Sequence, residues 1–224
     1  MLGSGRAGSV QREASTKPER YRKKEMKPAN QQGLVIEVKH TGERLVLHRT
    51  RHPAGFDELH LAGSLPPHRE GPPLHVHAFE DEHGEVLSGT LSATADGKTL
   101  LIAAGGSATF PKGGAHRWWN AGDEEVSFRG VATPVVDLDR FLQALFQVLN
   151  SGEAGRPPLF YLAHVLHRHR KSQTALIMPR TVQRVILPLL VGLGTLLGKY
   201  RGQTWPGCPQ RCSGAPYSEA SDAA

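Results

Sequence analysis

Residues 72–89 read "PPLHVHAFEDEHGEVLSG". Three histidines and four carboxylates fall within these eighteen residues, whose remaining positions spell strand, turn and strand. Side chains two apart on a strand share a face, so His75 and His77 project into one space while Val76 points away. Two imidazoles on one side of one strand are half of a metal site. A carboxylate from the turn or the next strand can supply a third ligand; Glu82 is placed for this, with Glu80 as its local rival. A fourth ligand has to come from elsewhere in the chain.

It is found in "GGSATFPKGGAHRWWNAG", where His116 stands thirty-nine residues after His77. Pro111 fixes one backbone dihedral and Gly113 permits positive φ, so the turn aims His116 from the start of the following strand. Alternation past His116 puts Trp118 on the same face, as a wall of the pocket, and Trp119 on the other. His60, His68 and His83 read as surface or strand residues, with His60 the one assigned to a substrate pocket. No arginine is placed beside these motifs on the metal face, so a strongly anionic substrate is not expected.

The spacing His75-x-His77, four residues, Glu82, six residues, Gly89 is similar to the first sequence motif of the cupins. Gly105, five residues, Pro111-x-Gly113, two residues, His116, three residues, Asn120 is similar to their second, and fifteen residues separate the two. The departure is the leading glycine, since Gly71 lies only four before His75. The resemblance covers roughly residues 55–135. It implies a double-stranded β-helix, or jelly-roll barrel, with one divalent transition metal held by His75, His77, Glu82 and His116. Three nitrogens and one oxygen leave octahedral positions open and admit iron, manganese, nickel, copper or zinc. The resemblance further implies a homodimer and a small-molecule ligand. The leading functional expectation is a metal-dependent enzyme of dioxygenase-like or isomerase-like chemistry; the alternative is a non-catalytic metal- and ligand-binding or sensing protein.

Working outward, the rest of the barrel is written as short alternating runs, "LVIEVKH", "RLVLHRT", "EVLSGTLSATA", "TLLIAA" and "VSFRGVATPV", punctuated by Gly, Pro and Asp-Gly. From Asp137 the period becomes helical. Leu138, Phe141, Leu142, Leu145, Val148 and Leu149 recur at threes and fours behind an Asp cap, and "NSG" ends the run. Two further helical segments are expected at about 158–171 and 180–200. The predicted organisation is therefore a basic disordered tail at 1–32, a β-barrel at 33–136, a helical extension at 137–202 and a second disordered tail at 203–224.

The formal charge of +6 is not spread evenly. Residues 1–32 carry eight Lys/Arg against three Glu and residues 137–205 nine against three, whereas residues 33–136 carry nine against thirteen acids. The basic pI thus belongs to the flanks, and no specific nucleic-acid partner is expected. The N-terminal segment lacks the apolar core of a secretory signal, and Cys208 and Cys212 are too few for a disulfide framework, so a reducing cytoplasm is the default expectation. "VILPLLVGLGTLLG" runs fourteen residues without a charge, short of the ~20 a membrane span needs. With its flanking Arg and Lys it suits packing against the barrel or a second subunit, or peripheral contact of helix 180–200 with an anionic membrane surface. "GTLLGKY" lacks the spacing and strand of a phosphate loop, and His164, His167 and His169 read as a basic helix surface.

Overall fold

The structure, a computed structural model, describes residues 33–152 and 156–202. The N-terminal tail, Cys208 and Cys212 lie outside the described residues. Eleven strands come first: β1 (Leu34–Val38), β2 (Glu43–Arg51), β3 (Asp57–Leu65), β4 (Arg69–Glu70), β5 (His75–His77), β6 (Asp81–Ser88), β7 (Thr90–Ala95), β8 (Lys98–Ala103), β9 (Ser107–Phe110), β10 (His116–Asn120) and β11 (Val126–Thr133). Then follow α1 (Leu138–Asn150), α2 (Leu159–Arg168), β12 (Gln173–Ala175) and α3 (Arg180–Leu196).

The strands form two antiparallel sheets, β1-β2-β3-β11-β6-β9 and β12-β5-β10-β7-β8, with β4 also paired to β10. Alternation along them fills the space between the sheets. Leu65, Val86, Leu91, Ile102, Phe110, Trp118 and Val126 form one buried cluster inside the barrel. The architecture is thus the mainly β sandwich of two antiparallel sheets that the two motifs implied, followed by the three helices expected beyond Asp137.

A second buried cluster joins barrel and extension, bringing Val38, Leu45, Leu47 and Leu59 of β1 to β3 against Phe141, Phe146, Val165 and Leu187 of the helices. The apolar stripe of α1 is what the 3.6-residue period delivers. Two polar devices fix its placement. Asn150 donates to the Glu37 carbonyl at 2.6 Å and accepts from the Lys39 N–H at 2.9 Å, pinning the end of α1 to β1. Arg49 bridges Asp57 at 2.8 Å and Asp139 at 2.9 Å, pinning its start to β2 and β3.

Three expectations for the extension are corrected. Asp137 stands at the N-cap of α1 but makes no side-chain cap bond; its Oδ2 lies 2.6 Å from Nδ1 of His169, which accordingly is buried rather than part of a basic surface. A capping bond is worth about 1 kcal/mol, less than a paired, charge-assisted contact in a half-buried setting can supply. Between the second and third helices the chain is not merely a break. Residues 173–175 form β12, which pairs Gln173 with His77, Thr174 with Val76 and Ala175 with His75.

Candidate metal centre

Each ligand-bearing side chain is delivered by a strand end. His75 and His77 come from β5, His116 from the first position of β10, directly opposite His75 in the ladder, and Glu82 from β6 of the facing sheet. The turn before β10 is tied down: Gly113 has φ of +80° and donates its N–H to the His77 carbonyl at 2.8 Å. Asn120 closes the other end of β10, donating to the carbonyls of Leu65, Pro66 and Glu124 and accepting from Gly122, all within 3.0 Å. Gly71, the offset glycine, has a packing cause: a Cβ there would stand 2.5 Å from the Trp118 ring.

The four candidate ligand atoms of His75, His77, Glu82 and His116 all lie within 4.8 Å of one another. Glu82 Oε2 is 3.3 Å from Nε2 of both His77 and His116. Whether these residues suit a cation can be tested on their outer hydrogen bonds. His75 Nδ1 is 2.8 Å from the Pro73 carbonyl and His116 Nδ1 is 3.2 Å from the Gly114 carbonyl. A carbonyl can only accept, so both rings must donate through Nδ1.

His77 Nδ1 meets the Gln173 Oε1. The orientation of that amide follows from its other end, where Gln173 Nε2 donates to Glu80 Oε2 at 3.2 Å. Glu80 also accepts from the Val136 N–H at 3.1 Å, so an amide NH2 facing it leaves the oxygen for His77. All three imidazoles therefore give away the Nδ1 proton outward. In neutral rings that leaves three Nε2 lone pairs converging, with those of His75 and His77 only 3.1 Å apart and that of His116 buried without a hydrogen-bond partner. Converging lone pairs repel unless a cation sits among them, and outward Nδ1 bonds are how metal-binding histidines are oriented. The residues fit a metal ion.

The electrostatics favour a neutral His75 and an ionised Glu82. Burial first, then the neighbouring His77 and His116, pushes His75 down to about 3, so it stays a neutral donor. Burial alone would raise Glu82, but the His116 and His77 imidazoles hold its carboxyl well below the usual range. Burial likewise lowers His77, and contact with Glu82 outweighs it, for a net rise.

His75, His77 and Glu82 of the cluster lie on the wall of a cavity of about 350 Å³. The barrel contributes Leu61, Trp118 and Phe128 to its lining, and the helices contribute Phe141, Leu145 and Leu166. Trp118 is on the face expected of it; Trp119 turns away and stacks beneath the Arg117 guanidinium at 4.5 Å. His60 is not among the lining residues: its Nε2 lies 3.1 Å from Thr50 Oγ1 on the adjacent strand and 3.7 Å from Glu58. Arg129 backs the cavity, but its guanidinium is held by Glu85 at 2.8 Å. Sequence reading missed Gln173 and the anchoring role of Glu80; the only trace of the former is the aliphatic run "TALI" after it, too short to declare a strand.

The family model for the cupin domain matches residues 63–133. The oxidoreductase iacF of Pestalotiopsis fici is 35% identical over 79 residues, 34% of this chain and 39% of that protein. Among solved structures, a sugar phosphate isomerase of Silicibacter pomeroyi is 23% identical, with 42% of this chain and 60% of that one covered at a TM-score of 0.36. An oxalate decarboxylase of Lactobacillus farciminis is 18% identical, with 46% and 32% covered at 0.40. This chain thus spans well under half of its curated relative.

Proposed function

From the premise that residues 63–133 are a cupin domain, we propose that the chain is a metal-dependent enzyme acting on a small, largely apolar molecule. The reaction is dioxygenase-like or isomerase-like and engages the substrate through one oxygen-bearing group. The observation that carries this reading is the convergence of three Nε2 atoms and Glu82, with His75, His77 and Glu82 on the wall of a mostly apolar cavity.

His75, His77, Glu82 and His116 would hold one divalent transition ion, which when bound supplies Lewis acidity or, as iron, dioxygen chemistry. The protein's own residues do the rest. Gln173 and the Pro73 and Gly114 carbonyls keep the imidazoles in the tautomer that points Nε2 inward. Phe141, Leu145, Leu166 and Trp118 exclude water and take up the apolar body of the substrate, orienting its polar end toward the cluster. With Arg129 engaged by Glu85, a multiply charged anion finds no counter-charge there.

The test begins with elemental analysis of protein purified without chelator or His-rich tag. Near-stoichiometric transition metal is expected, and the His75→Ala/His116→Ala double variant should retain none; undiminished metal in it refutes the site. Oxygen uptake and product analysis with apolar phenols and ketones then separate the chemistries. Tight ligand binding without turnover would favour the non-catalytic alternative.

A further inference from the structure

Helix α3 has two apolar faces. One is used: Leu187 and Gly194 are buried, Leu190 packs with the shared core, and Tyr200 crosses beside Gly194 to donate its hydroxyl to the Phe160 carbonyl at 3.1 Å. The other is bare. Val182, Val185, Ile186, Leu189, Leu193 and Leu196 are between 39% and 86% exposed, and their spacing of three and four residues lays them along one side of the helix. The helix therefore does not need this stripe to stay folded onto α2.

The chain that carries the stripe is basic. From Arg156 to Gly202 the chain has eight Lys/Arg and no Asp or Glu. Arg180 and Arg184 flank one end of the stripe and Lys199 and Arg201 the other, all exposed. We propose that α3 seats the protein on an anionic lipid bilayer, lying in the plane of the surface with the stripe at the acyl boundary and the basic residues among headgroup phosphates. No helix among the described residues is long and apolar enough to cross a membrane, which agrees with a helix that lies flat. A second copy of the chain is the poorer occupant. Pairing two such faces would bring together two segments that contain no carboxylate to offset their cations, whereas anionic lipid supplies the missing charge.

This docking stands independently of the catalytic reading. It has a geometric corollary: Ile177, 52% exposed and three residues ahead of α3, also lines the cavity, so the docking face and the cavity rim adjoin.

The experiment is flotation of the full chain with vesicles of phosphatidylcholine alone and with phosphatidylserine added. Expected is at least tenfold stronger binding to the anionic vesicles, weakening as salt rises, and its loss in Leu189→Glu/Leu193→Glu. Both positions are exposed, so the variant should keep the parent's melting temperature and metal content, which shows that it is folded. Binding to anionic vesicles that survives this substitution would assign it to another basic segment and overturn the proposal. Absence of binding by the parent chain would also overturn it, as would light scattering that shows a dimer dispersed by the same substitution.

Discussion

The barrel and its helical extension divide the labour of the site unequally. Every candidate ligand comes from β5, β6 and β10, yet the amide that orients His77 and much of the cavity wall come from residues beyond 137. The candidate ligands thus belong to the part of the chain that the cupin domain model matches, and much of the cavity wall to the part beyond it. Glu80 and Glu82 show the division at the scale of one strand entry. Glu82 faces the imidazoles, while Glu80, two residues earlier and fully buried, holds Val136 and Gln173 and so fastens the extension to the barrel.

The sharpest way to break this division is Glu80→Ala. It strands the Val136 N–H and the Gln173 amide in a buried setting, and should cost roughly 3 kcal/mol, or about 6–12 °C in melting temperature. An unchanged melting temperature would mean the extension is held by apolar packing alone. Next comes Gln173→Ala, which leaves all four ligands in place and removes only the acceptor of the His77 Nδ1 proton. Chelator competition should show metal affinity about 10–100-fold lower, and an unaltered affinity would confine the centre to the barrel.

Glu43 tests the barrel's side of the cavity, where burial pushes its carboxyl up to about 7. Its folded value lies above its unfolded one, so the associated stability is complete below about pH 4.5 and is lost as pH rises through 7. Glu43→Gln should therefore stabilise by about 2 kcal/mol at pH 8 and by almost nothing at about pH 4. An equal effect at both would show that the carboxylate is solvated. The smallest effect belongs to Asp137, whose carboxyl burial would raise but which His169 and Ser172 hold below its usual value. That contribution is present above about pH 4 and is lost as pH falls through the lower folded value. Asp137→Asn should cost about 1 kcal/mol at neutral pH and nothing in strong acid, and an equal cost at both would point to packing instead.

The barrel and its ligands were legible because the information is local. A period of two on β5, a Pro-x-Gly turn ahead of His116 and fixed spacings between them put four side chains on converging faces. Helices α1 and α3 were legible through their apolar period. What escaped depends on partners far along the chain. The Asp137 signature is that of a cap, and nothing nearby reveals that His169, thirty-two residues on, takes the carboxylate. Three residues of β12 are too few to show a period. Glu80 looked like a duplicate of Glu82 because only the folded chain brings Gln173 beside it. His60 lies off the cavity lining, which alternation could not settle, since it does not say which face of β3 meets the cavity.

The pairing of β12 with β5 also has a temporal meaning. His77 and its orienting Gln173 are 96 residues apart, so a nascent chain has emerged with both histidine motifs complete well before the amide that aims one of them leaves the ribosome. Such distant closures are slow to form. Between barrel closure and arrival of the extension, His77 therefore lacks the acceptor that fixes its tautomer.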